Sequence, residues 1–394
     1  MKKILEYYQG AMLAPTGGAR GYLYGLRKGL EEADLECFRI DYLPGEASIT
    51  KLREYSKNSQ NFIIKCGLRI YRRVKHIRKV FSILSVKTKP RVNINEYDAV
   101  HFHSASDMYR VRDVLKQYSG KVLFTSHSPQ PQADEYIESS SKLEMLLFGK
   151  YYKKLVEVDK YAFNRADYII FPCEDAEEPY FTYWPEYSEI KQKRHDRYKY
   201  LLTGTFPAKV VTSREKIREK YNIPESAFVI TYVGRHNEIK GYNNLKEIGK
   251  RILSKHKDVY FLIAGNLGPI KELNHERWIE VGWTNEPHSF TAAGDLFVLP
   301  NKETYFDLVL LEVLSVGTPV LAANTGGNKY FKDFFGVQLY NNVDEGVKYV
   351  EQIMMYSKNE IQAIFEMNKK LFNSKFTPKV FAENYINLLK NCDI

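Results

Sequence analysis

The chain has 394 residues, a formal net charge of +10, 44% hydrophobic and 27% charged residues. At ~150 residues per domain that length predicts two domains, and the apolar fraction excludes a chain disordered throughout. With 23 Gly, 15 Pro and no lasting heptad, collagen-like and coiled-coil classes are excluded as well.

The first residues, MKKILEYYQG, carry two lysines, but Glu6, Gln9 and the tyrosines interrupt the apolar stretch a signal peptide needs. No apolar run approaches the ~20 residues that span a bilayer. The expected setting is cytoplasmic, soluble or peripheral at the inner face of the cell membrane. Cys37, Cys66, Cys173 and Cys392 lie far apart without a CxxC spacing, which argues against a disulfide scaffold and a zinc site and fits a reducing compartment.

Short apolar runs predict strands at Ile4–Tyr8, Glu36–Asp41, Ala99–His103, Lys121–Ser126 and Tyr168–Pro172. A second series follows at Phe228–Gly234, Val259–Ala264, Trp278–Val281, Leu296–Leu299 and Thr318–Ala322. Helical patterns fall between them at Arg20–Glu31, Tyr109–Gln117, Lys142–Asn164, Tyr242–Lys255 and Leu308–Val316. Alternating strands and helices predict parallel α/β sheets, and two series predict two Rossmann-like domains facing across a cleft. The expected division is 1–205 and 206–377, with the break in the polar stretch Glu186–Ala227 and the last helix, in 378–394, returning to the first domain. Ligands of such sheets bind at the carboxyl ends of the strands.

Charge is concentrated. Between Tyr55 and Asn95 there is no Asp or Glu and there are eleven Lys and Arg, so the rest of the chain sums to −1. A helix over Ile63–Leu84 would place Ile63, Ile70, Val74, Ile77, Phe81 and Leu84 on one stripe, with Leu68 and Val80 off it. Two readings stay open: a Rossmann helix with solvated cations, or a segment facing an anionic membrane. The module has neither interleaved aromatics nor a recognised motif for nucleic acid, which is not expected as a partner. The polar segment Ser128–Lys142 is expected to form an acceptor mouth or lid.

The chemistry begins at VGRHNEIKG, residues 233–241. Arg235 and Lys240 follow a strand and precede a helix, either as a solvated βα loop or as a clamp for a diphosphate. Glu312 sits early in the helix after AGDLFVLPNKETYFD, either stabilised by the helix dipole or placed to bind ribose hydroxyls. His101 and His103 in HFHS read as a structural pair, since no third metal ligand is evident. No GxGxxG follows the first strand, which weighs against a dinucleotide enzyme, and no GxxxxGK[ST] occurs, which excludes a P-loop NTPase.

The order VGRxxxxKG, AGNLG, AGDLFVLPN, FxLxxLExLxxGxPV and NTGG resembles the family-four retaining glycosyltransferases of the GT-B fold, of the kind that builds bacterial capsule and exopolysaccharide. The resemblance spans most of the chain. It implies transfer of a sugar from a nucleotide-diphospho sugar, UDP-sugar first, to a glycan or lipid-linked acceptor, with retention of configuration. In that reading Arg235 and Lys240 hold the diphosphate, Glu312 the ribose, and His127 of LFTSHSP contacts the donor sugar. Gly17 and Gly18 let backbone approach the donor. Thr304, Phe306, Asp307 and Leu308 line its binding loop, joined by Asn266 of AGNLG and by Thr325 and Gly326 of NTGG. Neither metal nor another cofactor is expected: no Asp-x-Asp triplet occurs, and cations replace the metal at the leaving group. The chain departs from the family pattern at Thr304, where a Glu is usual, with Glu303 one place earlier and Asp307 in place of a glycine. That departure keeps two alternatives open: a non-catalytic GT-B partner subunit and a nucleotide-sugar epimerase.

Overall fold

The computed structural model describes residues 1–10, 12–15, 18–35, 37–43, 62–85, 87–128 and 130–394, with side chains from 66 onward in the helix that starts at Phe62. Two six-stranded sheets, parallel throughout, organise it. The first holds β1 (Lys2–Tyr7), β2 (Phe38–Tyr42), β3 (Ala99–Phe102), β4 (Lys121–Thr125), β5 (Tyr168–Phe171) and β6 (Tyr198–Tyr200), in the order β2-β1-β3-β4-β5-β6. The second holds β7 (Phe228–Val233), β8 (Val259–Ala264), β9 (Trp278–Gly282), β10 (Leu296–Leu299), β11 (Val320–Ala323) and β12 (Val337–Tyr340), in the order β12-β11-β10-β7-β8-β9. Central strands such as LFVL of β10 and AVHF of β3 are buried along their whole length, as expected of parallel sheets covered on both faces.

The helices form where the apolar spacing is helical and the ends are capped. Tyr242–Lys255 buries Tyr242, Leu245, Ile248, Gly249, Ile252 and Leu253, a stripe of period 3.6. Ser213 caps the helix Arg214–Lys220 through the Lys216 amide. The run read as one helix over Lys142–Asn164 is two, Lys142–Lys153 and Val156–Arg165. The first opens with a capping box between Ser141 and Glu144. Tyr109–Gln117 is likewise split between Ala105–Arg110 and Arg112–Leu115.

The last helix, Pro378–Asn391, packs on the first, Ala19–Leu30. Phe381, Ala382, Tyr385, Ile386 and Leu389 share a core with Ile4, Tyr22, Leu23 and Leu26 of the first sheet's layer. Burying such a side chain is worth roughly 1.5–3 kcal/mol, so this helix belongs energetically to the sheet at the other end of the chain. Across the two sheets, Glu178 accepts from the Gly326 amide at 2.6 Å and pairs with Lys329 at 2.8 Å. Tyr183 hydrogen-bonds Glu303, and the Phe171 and Tyr305 rings meet at 5.8 Å.

The basic helix spans Phe62–Ser85, but its packed stripe differs from the expected one. Val80 and Ile83 are fully buried, whereas Ile70 and Val74 are 64% and 46% exposed. The helix is apolar on more than one side, and only the side carrying Val80 meets the core. Within Ser128–Lys142, residues Gln132–Glu138 form a helix whose first amides are held by Asp159 at 3.2 and 3.1 Å. That segment is structured, contrary to its flexible-looking composition. Expectations that fall on 44–61 and on Gly17 lie outside the described residues.

Candidate active site

A cleft of about 1420 Å³ lies between the two sheets, lined from both. One wall is the loop after β7. Tyr232 donates to the Arg235 carbonyl at 2.9 Å, and the loop closes at Gly241, which caps the helix Tyr242–Lys255 with φ +65°. A Cβ on Gly241 would sit 1.6 Å from the Pro300 carbonyl oxygen, so the end of β10 and this loop approach as only glycine allows. Arg235 and Lys240 both line the cleft. The Arg235 side chain is exposed and makes no hydrogen bond or ion pair among the described residues.

Lys240 is engaged. Its Nζ meets Asp307 Oδ2 at 2.6 Å, and Asn301 Nδ2 donates to the same oxygen at 2.6 Å. Burial opposes ionisation of Asp307, but the Lys240 charge, these two hydrogen bonds and a third from the Val309 amide outweigh it and hold the carboxyl below its ordinary value. The residue that replaces a family glycine thus faces the clamp lysine. Directly after it begins the helix Leu308–Val316, whose first residues Leu308 and Val309 line the cleft; the Val309 amide donates to the Asp307 carboxylate and the Leu310 amide to the Asp307 carbonyl at 3.0 Å.

Glu312 also lines the cleft, and His288 Nε2 lies 3.3 Å from its Oε2. His288 Nδ1 accepts from the Lys209 amide at 3.0 Å, so the ring proton sits on Nε2, facing the carboxylate. The hydrogen bond to Glu312 raises the histidine's pKa above its ordinary value, with burial opposing. Thr304 is buried at the cleft, while Glu303, which also lines it, is turned to Tyr183.

The opposite wall comes from the first sheet. Gly18 caps Ala19–Leu30 at φ +75° and lines the cleft with Tyr22. His127, two residues beyond β4, lines it too. Burial first, then the neighbouring His103 and His101, holds the His127 imidazole well below its ordinary pKa. The helix Gln132–Glu138 contributes Gln132, Glu135, Tyr136 and Glu138, and the basic helix contributes His76 and Lys79.

The cleft therefore brings together Gly18, His127, Arg235, Lys240, Thr304, Phe306, Asp307, Leu308 and Glu312 of the residues expected from sequence. Asn266, Thr325 and Gly326 are not in its lining. The Asn266 carbonyl accepts from the His236 amide at 3.3 Å and bolsters the Arg235 loop from behind. Thr325 Oγ1 donates to the Lys302 carbonyl at 3.0 Å, and a Cβ on Gly326 would lie 1.9 Å from the Thr304 carbonyl oxygen. Both support the 302–307 loop. His288, Lys209, Tyr22 and Lys79 were not anticipated; no local motif marks them, and only the folded chain brings them to the cleft.

Two facing parallel Rossmann-like sheets with a cleft between them define the GT-B architecture of glycosyltransferases. Residues 213–371, under half of the chain, match the family described as glycosyl transferases group 1, which shows the resemblance read from the motifs of the second sheet. Among similar proteins is an O-antigen biosynthesis glycosyltransferase, WclY, of Escherichia coli, 24% identical over 183 residues that cover 44% of this chain and 50% of that one. Another from Escherichia coli is a UDP-Gal:alpha-D-GlcNAc-diphosphoundecaprenol alpha-1,3-galactosyltransferase, 26% identical over 168 residues, covering 39% of this chain and 42% of that one. The chain spans about half or less of the length of these curated relatives. Anabaena Alr3699/HepE, solved in complex with UDP, shares the fold over 99% of this chain and 100% of that one, with a TM-score of 0.61 at 14% identity.

Proposed function

We propose that the chain is a retaining glycosyltransferase that moves a sugar from a nucleotide-diphospho sugar, UDP-linked by preference, to a glycan or lipid-linked acceptor in surface polysaccharide assembly. The observation that carries this reading is that Arg235, with its side chain exposed, Lys240 and the start of the helix Leu308–Val316 line one cleft between the two sheets. Such an arrangement holds a diphosphate and stabilises it as charge develops on the leaving oxygen. The UDP-bound neighbour and the UDP-Gal relative support the nucleotide. Glu312, steadied by His288, is placed to accept from ribose hydroxyls. With cations at the leaving group, front-face transfer, in which the leaving diphosphate oxygen takes the acceptor proton, needs neither a metal nor an enzymic nucleophile. Arg235, Lys240 and Glu312 all line the cleft despite Thr304, which favours a transferase over a non-catalytic subunit or an epimerase. Incubation with UDP-sugars and a polyprenyl-diphosphate-linked glycan in EDTA should give a product with the donor's anomeric configuration. An inverted product, or activity that needs added metal, would contradict the mechanism.

The lipid-linked acceptor is supported by a face outside the cleft. The basic helix and Lys142–Lys153 are joined by Arg73 and Glu144 at 3.1 Å and by the Phe81 and Tyr151 rings at 4.5 Å. Together they expose Ile70, Tyr71, Val74, Leu143, Leu146 and Leu147 beside the exposed cations Arg69, Lys75 and Arg78. No described helix is long and apolar enough to cross a membrane. An apolar patch edged by cations suits an anionic lipid interface, each cation adding ~1 kcal/mol near the surface. Sedimentation with phosphatidylglycerol vesicles should carry the protein down at low salt. The double variant Leu143→Ser, Leu146→Ser should lose most of that binding; equal binding by wild type and variant would exclude the face.

A further inference from the structure

Behind His127 lies a buried chain of titratable groups that the proposed transfer does not itself use. Glu6 on β1 is 1% exposed and His103, just past β3, is 3% exposed. Glu6 Oε2 lies 2.6 Å from His103 Nε2, and His103 Nδ1 lies 2.9 Å from His127 Nε2. Glu6 Oε1 accepts from the Tyr385 hydroxyl of the last helix, and His101 Nδ1 stands 3.3 Å from Oε2. Glu6, His101 and His103 could be taken for a metal cage, since their ligand atoms lie within 4.8 Å of one another. Their lone pairs are spent on each other, on Tyr385, on Thr125 (2.8 Å from His101 Nε2) and on His127. The geometry is that of a hydrogen-bond relay.

The direction of the relay follows from charge. Burial disfavours the Glu6 carboxylate, but His101 first, and then the hydrogen bond from His103, outweigh it and hold the group below its ordinary value, so it stays ionised. Burial, aided by His101, pushes His103 down to about 4, so at neutral pH it carries one ring proton. An ionised carboxylate only accepts, so that proton lies on Nε2 and Nδ1 is a bare acceptor. His127 must then donate from Nε2, and being neutral it keeps Nδ1 bare. The Tyr22 ring packs edge-on at 4.6 Å and holds the imidazole in the cleft wall.

We infer that Glu6 and His103 are positioning residues that lock His127 in its Nε2–H tautomer, so that it offers the donor sugar a hydrogen-bond acceptor rather than a donor. Resting on the transferase reading, this selects a sugar that presents a hydroxyl there and disfavours one that presents only an ether or carbonyl oxygen. Glu6→Leu releases the lock: with no acceptor at Glu6 to hold the proton on His103 Nε2, His103 and His127 populate both tautomers.

The test is a long-range proton–nitrogen correlation spectrum of the full chain labelled with 15N-histidine at pH 7, with His127 identified by its absence in His127→Gln. The expected wild-type pattern has Nε2 protonated and Nδ1 bare, and in Glu6→Leu the Nδ1–H tautomer appears beside it. A wild-type Nδ1–H tautomer, an imidazolium, or an Nε2–H tautomer as exclusive in Glu6→Leu as in wild type would overturn the inference. Should Glu6→Leu not fold, the wild-type spectrum alone decides. Glu6→Leu is also expected to lower kcat on the order of tenfold, the scale of one misdirected hydrogen bond, with UDP affinity unchanged. A chain that transfers no sugar at all would refute the transferase reading while leaving the tautomer result legible.

Discussion

Arg235→Ala is expected to lower turnover at least ~100-fold, the scale of removing one group that stabilises charge in the transition state. Because Arg235 is exposed and makes no hydrogen bond or ion pair among the described residues, its loss should leave stability within about 0.5 kcal/mol. Lys240→Ala should match it in turnover but not in stability. Lys240 holds Asp307 at 2.6 Å, and removing it leaves a largely buried carboxylate with no cation, held only by Asn301 and the Val309 amide. The cost is roughly 1–3 kcal/mol, the desolvation penalty of a polar group deprived of its partner. The double variant Lys240→Ala, Asp307→Asn should recover that stability and none of the turnover. Steady-state kinetics and thermal melts on the three variants check both halves. Near-normal kcat in Arg235→Ala and Lys240→Ala would refute the clamp.

The second large effect is structural. Gly241→Ala asks an L-residue to adopt φ +65° and puts its Cβ 1.6 Å from the Pro300 carbonyl oxygen. The left-handed conformation alone costs roughly 1–2 kcal/mol. The overlap is with backbone and can be relieved only by moving the end of β10 away from the Arg235 loop, so the sum is roughly 3 kcal/mol or more, near the top of what single substitutions do. At roughly 2–4 °C per kcal/mol for domains of this size, Tm should fall by about 6 °C or more, and nucleotide binding should weaken with it. Gly67→Ala is the control. Gly67 is exposed inside Phe62–Ser85 with nothing within 4 Å of its Cβ position, and Ala there should stabilise by up to about 1 kcal/mol. Equal melts for both variants would show that the Gly241 contact does not constrain the loop.

Much of the architecture was legible because parallel strands buried on both faces must be short apolar runs, and VYFLIA and LFVL are such runs. The strand Tyr198–Tyr200 escaped because YKY at a sheet edge, after the charged run IKQKRHDR, is too short and too polar to read as a strand. The split at Leu155 escaped because helical spacing continues across it; Leu155 itself is fully buried and keeps α-type dihedrals. The packed side of the basic helix was misjudged for a related reason. Periodicity identifies an apolar side but cannot say which of two, Val80 with Ile83 or Ile70 with Val74, will meet the sheet.

The site was legible where function is local. Arg235, Lys240 and Glu312 stand in one stretch each, at strand ends or helix starts, and the fold brings them to one cleft. What depended on distant partners was hidden. Asp307 reads as a misplaced acid until Lys240 is seen against it, 67 residues away. His103 reads as half of an isolated pair until Glu6, 97 residues earlier, and Tyr385, at the far end of the chain, are found around it. Asn266, Thr325 and Gly326 belong to motifs that accompany the site, and here they brace its loops.

The claim on which the rest stands is that Arg235 and Lys240 form a diphosphate site that works without metal. The measurement that tests it most directly is a thermal-shift panel of UDP, GDP, ADP, TDP and CMP, in EDTA and then in magnesium, on wild type and Arg235→Ala. At about 100 times its dissociation constant a ligand adds ~2.7 kcal/mol. The account predicts a clear upward shift with UDP, the same with and without magnesium, and largely lost in Arg235→Ala. No shift with any nucleotide, or a shift that Arg235→Ala leaves intact, would contradict it.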